Sequence, residues 1–144
     1  FTIDSAFDSK GLVYRNDEFE YETDFYNEFL ISPAIMITEK TRTWLSNSGI
    51  FRLVLDKGAY IDPTHTLQAN IIALYADRRE KKAVMEIRTF LISNDAPDDS
   101  VIMTATYRAS SALKSHLPEA LLEAFDDCLT LMLRDLENDF RQKL

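Results

Sequence analysis

The stretch HTLQANIIALYADRREKKAVMEIRTFLI, residues 65–92, decides the fold class because two alternating apolar runs flank a short charged segment. Every second residue from Leu67 to Tyr75 is apolar, which is typical of a β-strand with one buried face. The pattern resumes at Ala83, and a third alternating run covers residues 101–107 after the turn cluster NDAPDD, residues 94–99. The sequence therefore predicts a three-strand antiparallel meander whose first hairpin has a charged tip.

Two amphipathic helices are expected on either side of this meander in the chain. The segment from Ser32-Pro33 to Gly49 has a helix-starting dipeptide, an apolar stripe and a helix-ending glycine. The run IFRLVL, residues 50–55, follows at once and is predicted to be a strand. A longer helix is predicted over residues 118–141, where apolar residues recur every three or four positions. Its expected buried stripe is Leu121, Phe125, Cys128, Leu129, Met132, Leu136 and Phe140.

The residues before the first helix are expected to be extended, with short strands at 1–7 and 12–15 and a clear alternation at 18–25. The order strands, helix, strand, meander, helix predicts an α+β fold, in which a mostly antiparallel sheet carries both helices on one face of a two-layer domain. Residues 1–144 contain no linker or repeat, so we expect a single domain. At least one of the first two strands is expected to border the sheet, where an open edge favours a homo-oligomer of the lipidated form.

Composition excludes several functional classes. The chain has 144 residues and a formal net charge of −8, which argues against a nucleic-acid binder, because such a protein needs a basic patch. No apolar run approaches the ~20 residues that a membrane-spanning helix needs. The single cysteine, Cys128, excludes an internal disulfide.

Candidate catalytic and metal-binding patterns are weak. Ser111 and Lys114 match the Ser-x-x-Lys pattern of penicillin-interacting enzymes, but the companion motifs of those enzymes are missing. His65 and His116 lie far apart in the sequence, and the acidic turn at 94–99 lacks the order of an EF-hand loop. We therefore expect no enzyme activity, no catalytic residue, no metal and no cofactor, with a small hydrolase using Ser111 and Lys114 as a remote alternative.

Two surface features suggest partners. Aromatic residues are dense from Phe19 to Phe29 and are interleaved with acidic residues, a pattern that fits either a half-buried strand with a wet acidic face or a docking surface. The candidate interface residues are Phe19, Glu20, Tyr21, Glu22, Phe25 and Tyr26. The basic run RREKK, residues 78–82, is either a solvated hairpin tip or a contact for an acidic partner.

Several segments together resemble the ABC-type transport auxiliary lipoproteins, a family that includes the small lipoprotein of the paraquat-inducible intermembrane transport system. The segments are the pair Tyr14-Arg15, the aromatic strand and proline-started helix in YNEFLISPAIM (26–36), the helix end and apolar run in WLSNSGIFRLV (44–54), and the strand start AVM (83–85). Phe29 stands where the family usually has Trp, and Ile50 where it has Leu, so both positions stay apolar. The resemblance extends over nearly the whole chain.

The resemblance implies a non-catalytic periplasmic domain, with a lipid anchor that lies upstream of Phe1 and attaches the protein to the outer membrane. It implies that the domain docks or scaffolds a lipid-transport complex formed by an Mce-type protein and ABC-type inner-membrane components. Contact with the membrane would occur only through the anchor, and homo-oligomerisation is expected of the lipidated form. The alternative is an accessory lipoprotein of another outer-membrane assembly or secretion system.

Overall fold

The computed structural model describes residues 32–56, 58–95, 97 and 100–144 in full, and the backbone alone at residues 2–3, 11–15 and 21–28. Along these residues three strands, a helix, three more strands and a second helix follow one another, which is the predicted order apart from one strand. Their bounds are β1 Thr2–Ile3, β2 Gly11–Arg15, β3 Tyr21–Glu28, α1 Pro33–Ser48, β4 His65–Asp77, β5 Lys82–Ser93, β6 Ser100–Ala112 and α2 Pro118–Lys143.

The strands form one sheet with the order β3-β2-β4-β5-β6, and β1 pairs with β4 beside this path. The pairs β2–β3, β4–β5 and β5–β6 are antiparallel, whereas β1 and β2 both run parallel to β4. The helices contribute one side of a shared core against the sheet. The predicted α+β architecture, with a mostly antiparallel sheet, is therefore confirmed.

The long helix α2 buries the stripe that its sequence predicts. All seven expected residues, from Leu121 to Phe140, are at most 5% exposed, and Phe140 and Cys128 are fully buried. Acidic Glu119 lies in the first turn and basic Arg141 and Lys143 lie in the last, which matches the direction of the helix dipole. The stripe anchors α2 to strands β5 and β6, and that contact sets the two layers of the fold.

The shorter helix α1 is held against the end of α2 by polar contacts as well as by its apolar face. The indole Nε1 of Trp44 donates a hydrogen bond of 2.8 Å to Glu137 Oε2. Arg141 Nη2 donates to the Ser48 carbonyl at 2.6 Å and so satisfies a free carbonyl at the end of α1. Glu137 also accepts from Arg141, and these two donors hold the pKa of the Glu137 carboxyl below its usual range.

One predicted strand is wrong. Residues 50–55 take no part in the sheet and instead form an irregular segment that leaves α1 after Gly49, whose φ is 76°. Ile50, Phe51 and Val54 are partly buried against the core, and the Phe51 ring meets Phe140 edge-on at 5.7 Å. The apolar residues of this segment therefore cover the ends of the helices, so their pattern reflects packing without strand pairing. The side chain of Trp44 on α1 is also only partly buried against this core.

The predicted core face of β4 is correct for only part of the strand. Leu67, opposite Leu91, and Ile71, opposite Ile87, share one face with the helix-side residues of β5. A bulge between Ile71 and Ala73 then reverses the alternation, so that Tyr75 pairs with Val84 on the other face. Leu74 takes over the helix-side position opposite Met85.

Candidate functional site

The strand predicted as a partner interface forms one edge of the sheet. Among the described strands, β3 pairs only with β2, and its other side has no strand beside it. Tyr21 lies opposite Arg15 and Glu22 opposite Tyr14. An edge strand presents backbone N–H and C=O groups to any neighbouring chain, so this position suits docking.

The other four predicted interface residues divide into two pairs. Phe25 and Tyr26 lie where the register of β3 against β2 shifts, between the pairs Asp24–Leu12 and Glu28–Gly11. Phe19 and Glu20 lie outside the described residues, as do all β3 side chains. The predicted separation of an aromatic face from an acidic face therefore stays a prediction.

The opposite edge of the sheet is β6. This strand pairs with β5 along almost its entire length, and no other described strand lies beside it. Arg108 is its only charged residue, and Arg108 Nη1 lies 2.9 Å from Glu86 Oε2 on β5. β6 contains no proline, which is a common protection of sheet edges. The sequence does not identify this edge, because an alternating pattern does not reveal the order of strands in a sheet.

The basic hairpin tip lies at the end of this second edge. Asp77 is buried and accepts backbone N–H bonds from Arg79 at 3.0 Å and Glu80 at 3.1 Å, which fixes the turn. Lys81 has a φ of 51°, and its carbonyl accepts from the backbone N–H of Leu113 at 2.9 Å. The tip is therefore a rigid, exposed cationic corner beside the last residues of β6.

A further feature that the sequence does not reveal is an apolar cleft between α1, α2 and the sheet. Its volume is about 210 Å³, and its walls include Ile37, Leu74 and Phe125. Lys40 and Asp126, both about half-exposed, form an ion pair across its rim between the two helices. The cleft exceeds the ~150 Å³ cavity that admits benzene but is smaller than the ~300 Å³ of drug-sized pockets. It can accept one apolar side chain or a short aliphatic segment.

The long connection between α1 and β4 exposes large apolar side chains. Tyr60 is fully exposed, and Leu53 and Ile61 are 62% and 59% exposed. Isolated exposed apolar residues are ordinary, but a long connection without secondary structure is often functional. This segment is a second candidate contact surface.

The Ser-x-x-Lys pattern does not assemble a nucleophile and its base. Ser111 Oγ lies 3.4 Å from an Asp127 oxygen, whereas Lys114 Nζ donates to Glu123 at 2.8 Å. The bond to Glu123 raises the pKa of Lys114 above its ordinary value of 10.5. A catalytic lysine base needs the opposite shift, because only the neutral amine can take a proton. The geometry therefore gives no support to the hydrolase alternative.

The other candidate ligand groups remain separate. His65 begins β4, and its ring Nδ1 lies 3.0 Å from Thr64 Oγ1. His116 lies in the segment that immediately precedes α2. Within the described ranges, no three His, Cys, Asp or Glu side chains gather as a metal site. In the turn at 94–99, Asp98 and Asp99 lie outside the described residues. Of the helices described, none is long and apolar enough to span a bilayer.

Cys128 lies in the buried stripe of α2, with its Sγ 3.8 Å from the Ala83 carbonyl. Burial, followed by the charge of Asp127, raises the pKa of the thiol to about 11. Because the thiolate is the reactive form, both protonation and burial make this cysteine inert in the folded protein.

We expect Cys128 to resist an aromatic disulfide reagent at pH 8 in the native protein and to react stoichiometrically after denaturation. The measurement is the rate of thiol release with and without denaturant. A Ser46→Cys variant, which places a thiol at an exposed position of α1, is the control and should react at once with one equivalent. Rapid reaction of the native parent protein would show that the α2 stripe opens readily.

Comparison with known proteins gives the fold. The chain shares its architecture with a DUF330 protein. That protein is XCC0632 from Xanthomonas campestris; the TM-score is 0.83 at 17% identity, and the match covers 94% of this chain and 77% of that one. A crystal structure described as an uncharacterized protein is also similar, with a TM-score of 0.78, 10% identity and coverage of 98% and 86%. No protein-family model and no curated protein matches the sequence.

Proposed function

We propose that this chain is a periplasmic accessory lipoprotein, anchored by an upstream lipid to the outer membrane, which docks or scaffolds an Mce/ABC-type intermembrane lipid-transport complex. It acts without catalysis, through its surfaces. The observation that carries this proposal is the position of the aromatic and acidic strand β3 at an edge of the sheet. The sequence resemblance to transport auxiliary lipoproteins supplies the identity of the partners.

Two further surfaces support a docking role. The exposed side chains of Leu53, Tyr60 and Ile61 offer apolar anchors on one connection, and aromatic anchors dominate many protein interfaces. The basic tip of the β4–β5 hairpin is a local cationic site on this otherwise acidic protein. Such a site favours association with a partner in one orientation. In this proposal the lipidated protein also forms a homo-oligomer, since tethering raises its local concentration.

The test is recovery of partners by the lipidated full-length protein from detergent-solubilised envelopes. We expect Glu20→Lys with Glu22→Lys to reduce retention of the Mce-type partner at low salt by roughly three- to tenfold, because an ion pair at a wet interface contributes up to about 1 kcal/mol. A matched control is Asp62→Lys with Asp95→Lys, which makes the same change of charge at exposed positions outside β3.

If the Glu20→Lys, Glu22→Lys variant retains the Mce-type partner as well as the parent protein does, Glu20 and Glu22 are not part of the interface. Recovery of an outer-membrane assembly or secretion complex in place of an Mce-type protein would favour the alternative function. Both outcomes are read from the same eluates by mass spectrometry.

A further inference from the structure

The two helices differ in how much of their stability comes from their own sequence. α2 has ten buried residues, an acidic residue in its first turn and basic residues in its last turn. α1 has four buried residues, no acidic residue in its first turn and no basic residue in its last. Charges at these positions complement the helix dipole, so α1 lacks a stabilising contribution that α2 has.

The sequence of α1 also has a weak intrinsic helix propensity. Five of its 16 residues are β-branched, and its last three residues are Ser46-Asn47-Ser48. The Ser32 side chain makes no capping hydrogen bond, and the hydroxyls of Thr38 and Thr41 donate to carbonyls one turn earlier. Because helices of such length gain most of their stability from packing, α1 depends on its tertiary contacts.

The tertiary contacts of α1 are made chiefly with α2, and one carboxylate organises two of them. Glu137 Oε2 accepts the bond from the Trp44 indole at 2.8 Å, and Glu137 Oε1 accepts from Arg141 Nη2 at 2.7 Å. The same Arg141 nitrogen donates to the Ser48 carbonyl at 2.6 Å. A cation of α2 thus stands at the C-terminal end of α1, where the sequence of α1 has none. These four residues form the clasp.

The packing beneath the first half of α1 is incomplete. The cleft of about 210 Å³ lies between α1, α2 and the sheet, with Pro33, Met36 and Ile37 on the α1 side. The link across its rim is the ion pair of Lys40 with Asp126, and both side chains are about half-exposed. An ion pair in contact with water contributes little to stability, and a void removes contacts that a fully packed helix would make.

We propose that α1 opens as a unit from α2 and the sheet while the rest of the fold stays intact, and that the clasp keeps it closed. Elements with few buried apolar contacts open in this way at a lower free energy than global unfolding. The long connection between α1 and β4 allows the movement without displacing a strand. This inference goes beyond the proposed function and does not depend on any transport partner.

Opening of α1 uncovers an apolar surface that the closed protein hides. The cleft residues of α2 and the sheet include Leu74, Met85, Phe125 and Leu129, and each is at most 5% exposed. Met36 of α1 and Met85 of β5 line the cleft from two sides, and the flexible thioether side chain adapts to a changed gap. The closure of one helix therefore sets the exposure of this surface.

The test is native-state hydrogen exchange of the purified chain, resolved by residue with NMR at denaturant concentrations below the unfolding transition. Amides from Ile37 to Leu45 should share one opening constant, at least about tenfold larger than that of the α2 stripe, with a weaker dependence on denaturant. The weaker dependence reflects the smaller surface that one opening helix exposes. Equal constants and equal denaturant dependence in α1 and α2 would show a single cooperative unit and overturn the proposal.

The variant Glu137→Gln tests the clasp. Glutamine has one acceptor oxygen where the carboxylate has two, so it cannot serve both Trp44 and Arg141. Because the clasp is broken both when α1 opens and when the whole chain unfolds, the opening constants of α1 and α2 should rise by the same factor, about tenfold. Unchanged exchange of α1 in this variant would show that the clasp does not hold the helix closed.

The matched variant Tyr107→Phe acts on a contact that opening of α1 leaves intact. Tyr107 on β6 donates its hydrogen bond to Asp139 on α2, and α1 takes no part in that bond. Its loss should raise the opening constant of α2 about tenfold or more and leave that of α1 unchanged. If exchange of α1 accelerates together with that of α2, α1 opens only by global unfolding, and the proposal is wrong.

A cross-link tests whether α1 leaves α2 at all. Lys40→Cys with Asp126→Cys, in a Cys128→Ala background, places thiols on the two sides of the cleft rim, where a short bismaleimide can join them. Joining should slow exchange of α1 to the rate of α2, whereas the same variant capped with a monofunctional maleimide should keep the separate opening. Exchange of α1 that is unaffected by the cross-link would mean that the helix frays in place, which would contradict its opening as a unit.

Discussion

Replacement of Phe140 by alanine is expected to lower the free energy of unfolding by about 3–5 kcal/mol. Phe140 is fully buried near the end of α2, and its ring packs edge-on against Phe51 at 5.7 Å with an interplanar angle of 86°. The substitution removes the whole ring and leaves a cavity between α2 and the segment that follows α1. Chemical denaturation followed by circular dichroism measures the effect.

A double-mutant cycle with Phe51→Ala tests whether the ring contact itself contributes. Aromatic pairs in this arrangement contribute about 0.5–1.5 kcal/mol beyond the effect of the area that they bury. The losses in unfolding free energy of the two single variants should therefore add up to more than the loss of the double variant, by that amount. Leu131→Ala is the control, since Leu131 lies on the same helix and is 45% exposed, and it should change stability by less than about 0.5 kcal/mol. A Phe140 effect no larger than the control would contradict the assigned core.

The contrast between α2 and residues 50–55 shows which parts of the fold a sequence can predict. A long helix repeats its apolar spacing over many turns, so the stripe from Leu121 to Phe140 is specified by local pattern alone. A segment of six residues, five of them apolar, fits a short strand and a coil that covers a helix end equally well. Only the position of Phe51 against Phe140, residues distant in sequence, distinguishes the two.

The β4 bulge has the same cause. The alternation from Leu67 to Tyr75 is continuous in the sequence, but one extra residue in the strand moves Leu74 to the helix side and Tyr75 to the other face. Leu74 and Tyr75 are both apolar and both buried, so the residue types do not reveal that the two faces of the strand change places. The predicted strand is therefore correct, and the predicted face is correct only before the bulge.

The candidate surfaces depend even more on tertiary structure. The acidic and aromatic character of the β3 segment could be read from the sequence, but its position at the edge depends on strand order. The cleft lies between α1, α2 and the sheet, and Lys40 of α1 pairs with Asp126 of α2 at its rim; no local pattern relates these two positions. Surfaces formed by residues from separate elements need the fold before they can be identified.

Tyr107 is expected to make the stability of the protein fall at alkaline pH. Its hydroxyl donates a hydrogen bond of 2.6 Å to Asp139 Oδ2, and the residue is 9% exposed. Burial first, and then the hydrogen bond and negative charge of Asp139, raise the pKa of Tyr107 above its ordinary value of 10.0. The fold therefore favours the neutral phenol, so this contribution to stability is complete below about pH 10 and is lost as the pH rises from there toward the folded-state pKa.

Tyr107→Phe should cost about 1.5–3 kcal/mol at neutral pH, because a hydrogen bond to a charged acceptor is lost, and it should also flatten the decline of stability above pH 10. The Cys128 thiol, whose pKa is raised to about 11, titrates in the same range, so the comparison is made in a Cys128→Ala background. Tyr60→Phe is the control, since Tyr60 is fully exposed and should change neither the neutral stability nor the alkaline slope. Equal alkaline slopes for the parent and Tyr107→Phe would mean that the phenol ionises without opposition from Asp139, and that the contact between β6 and α2 does not depend on this hydrogen bond.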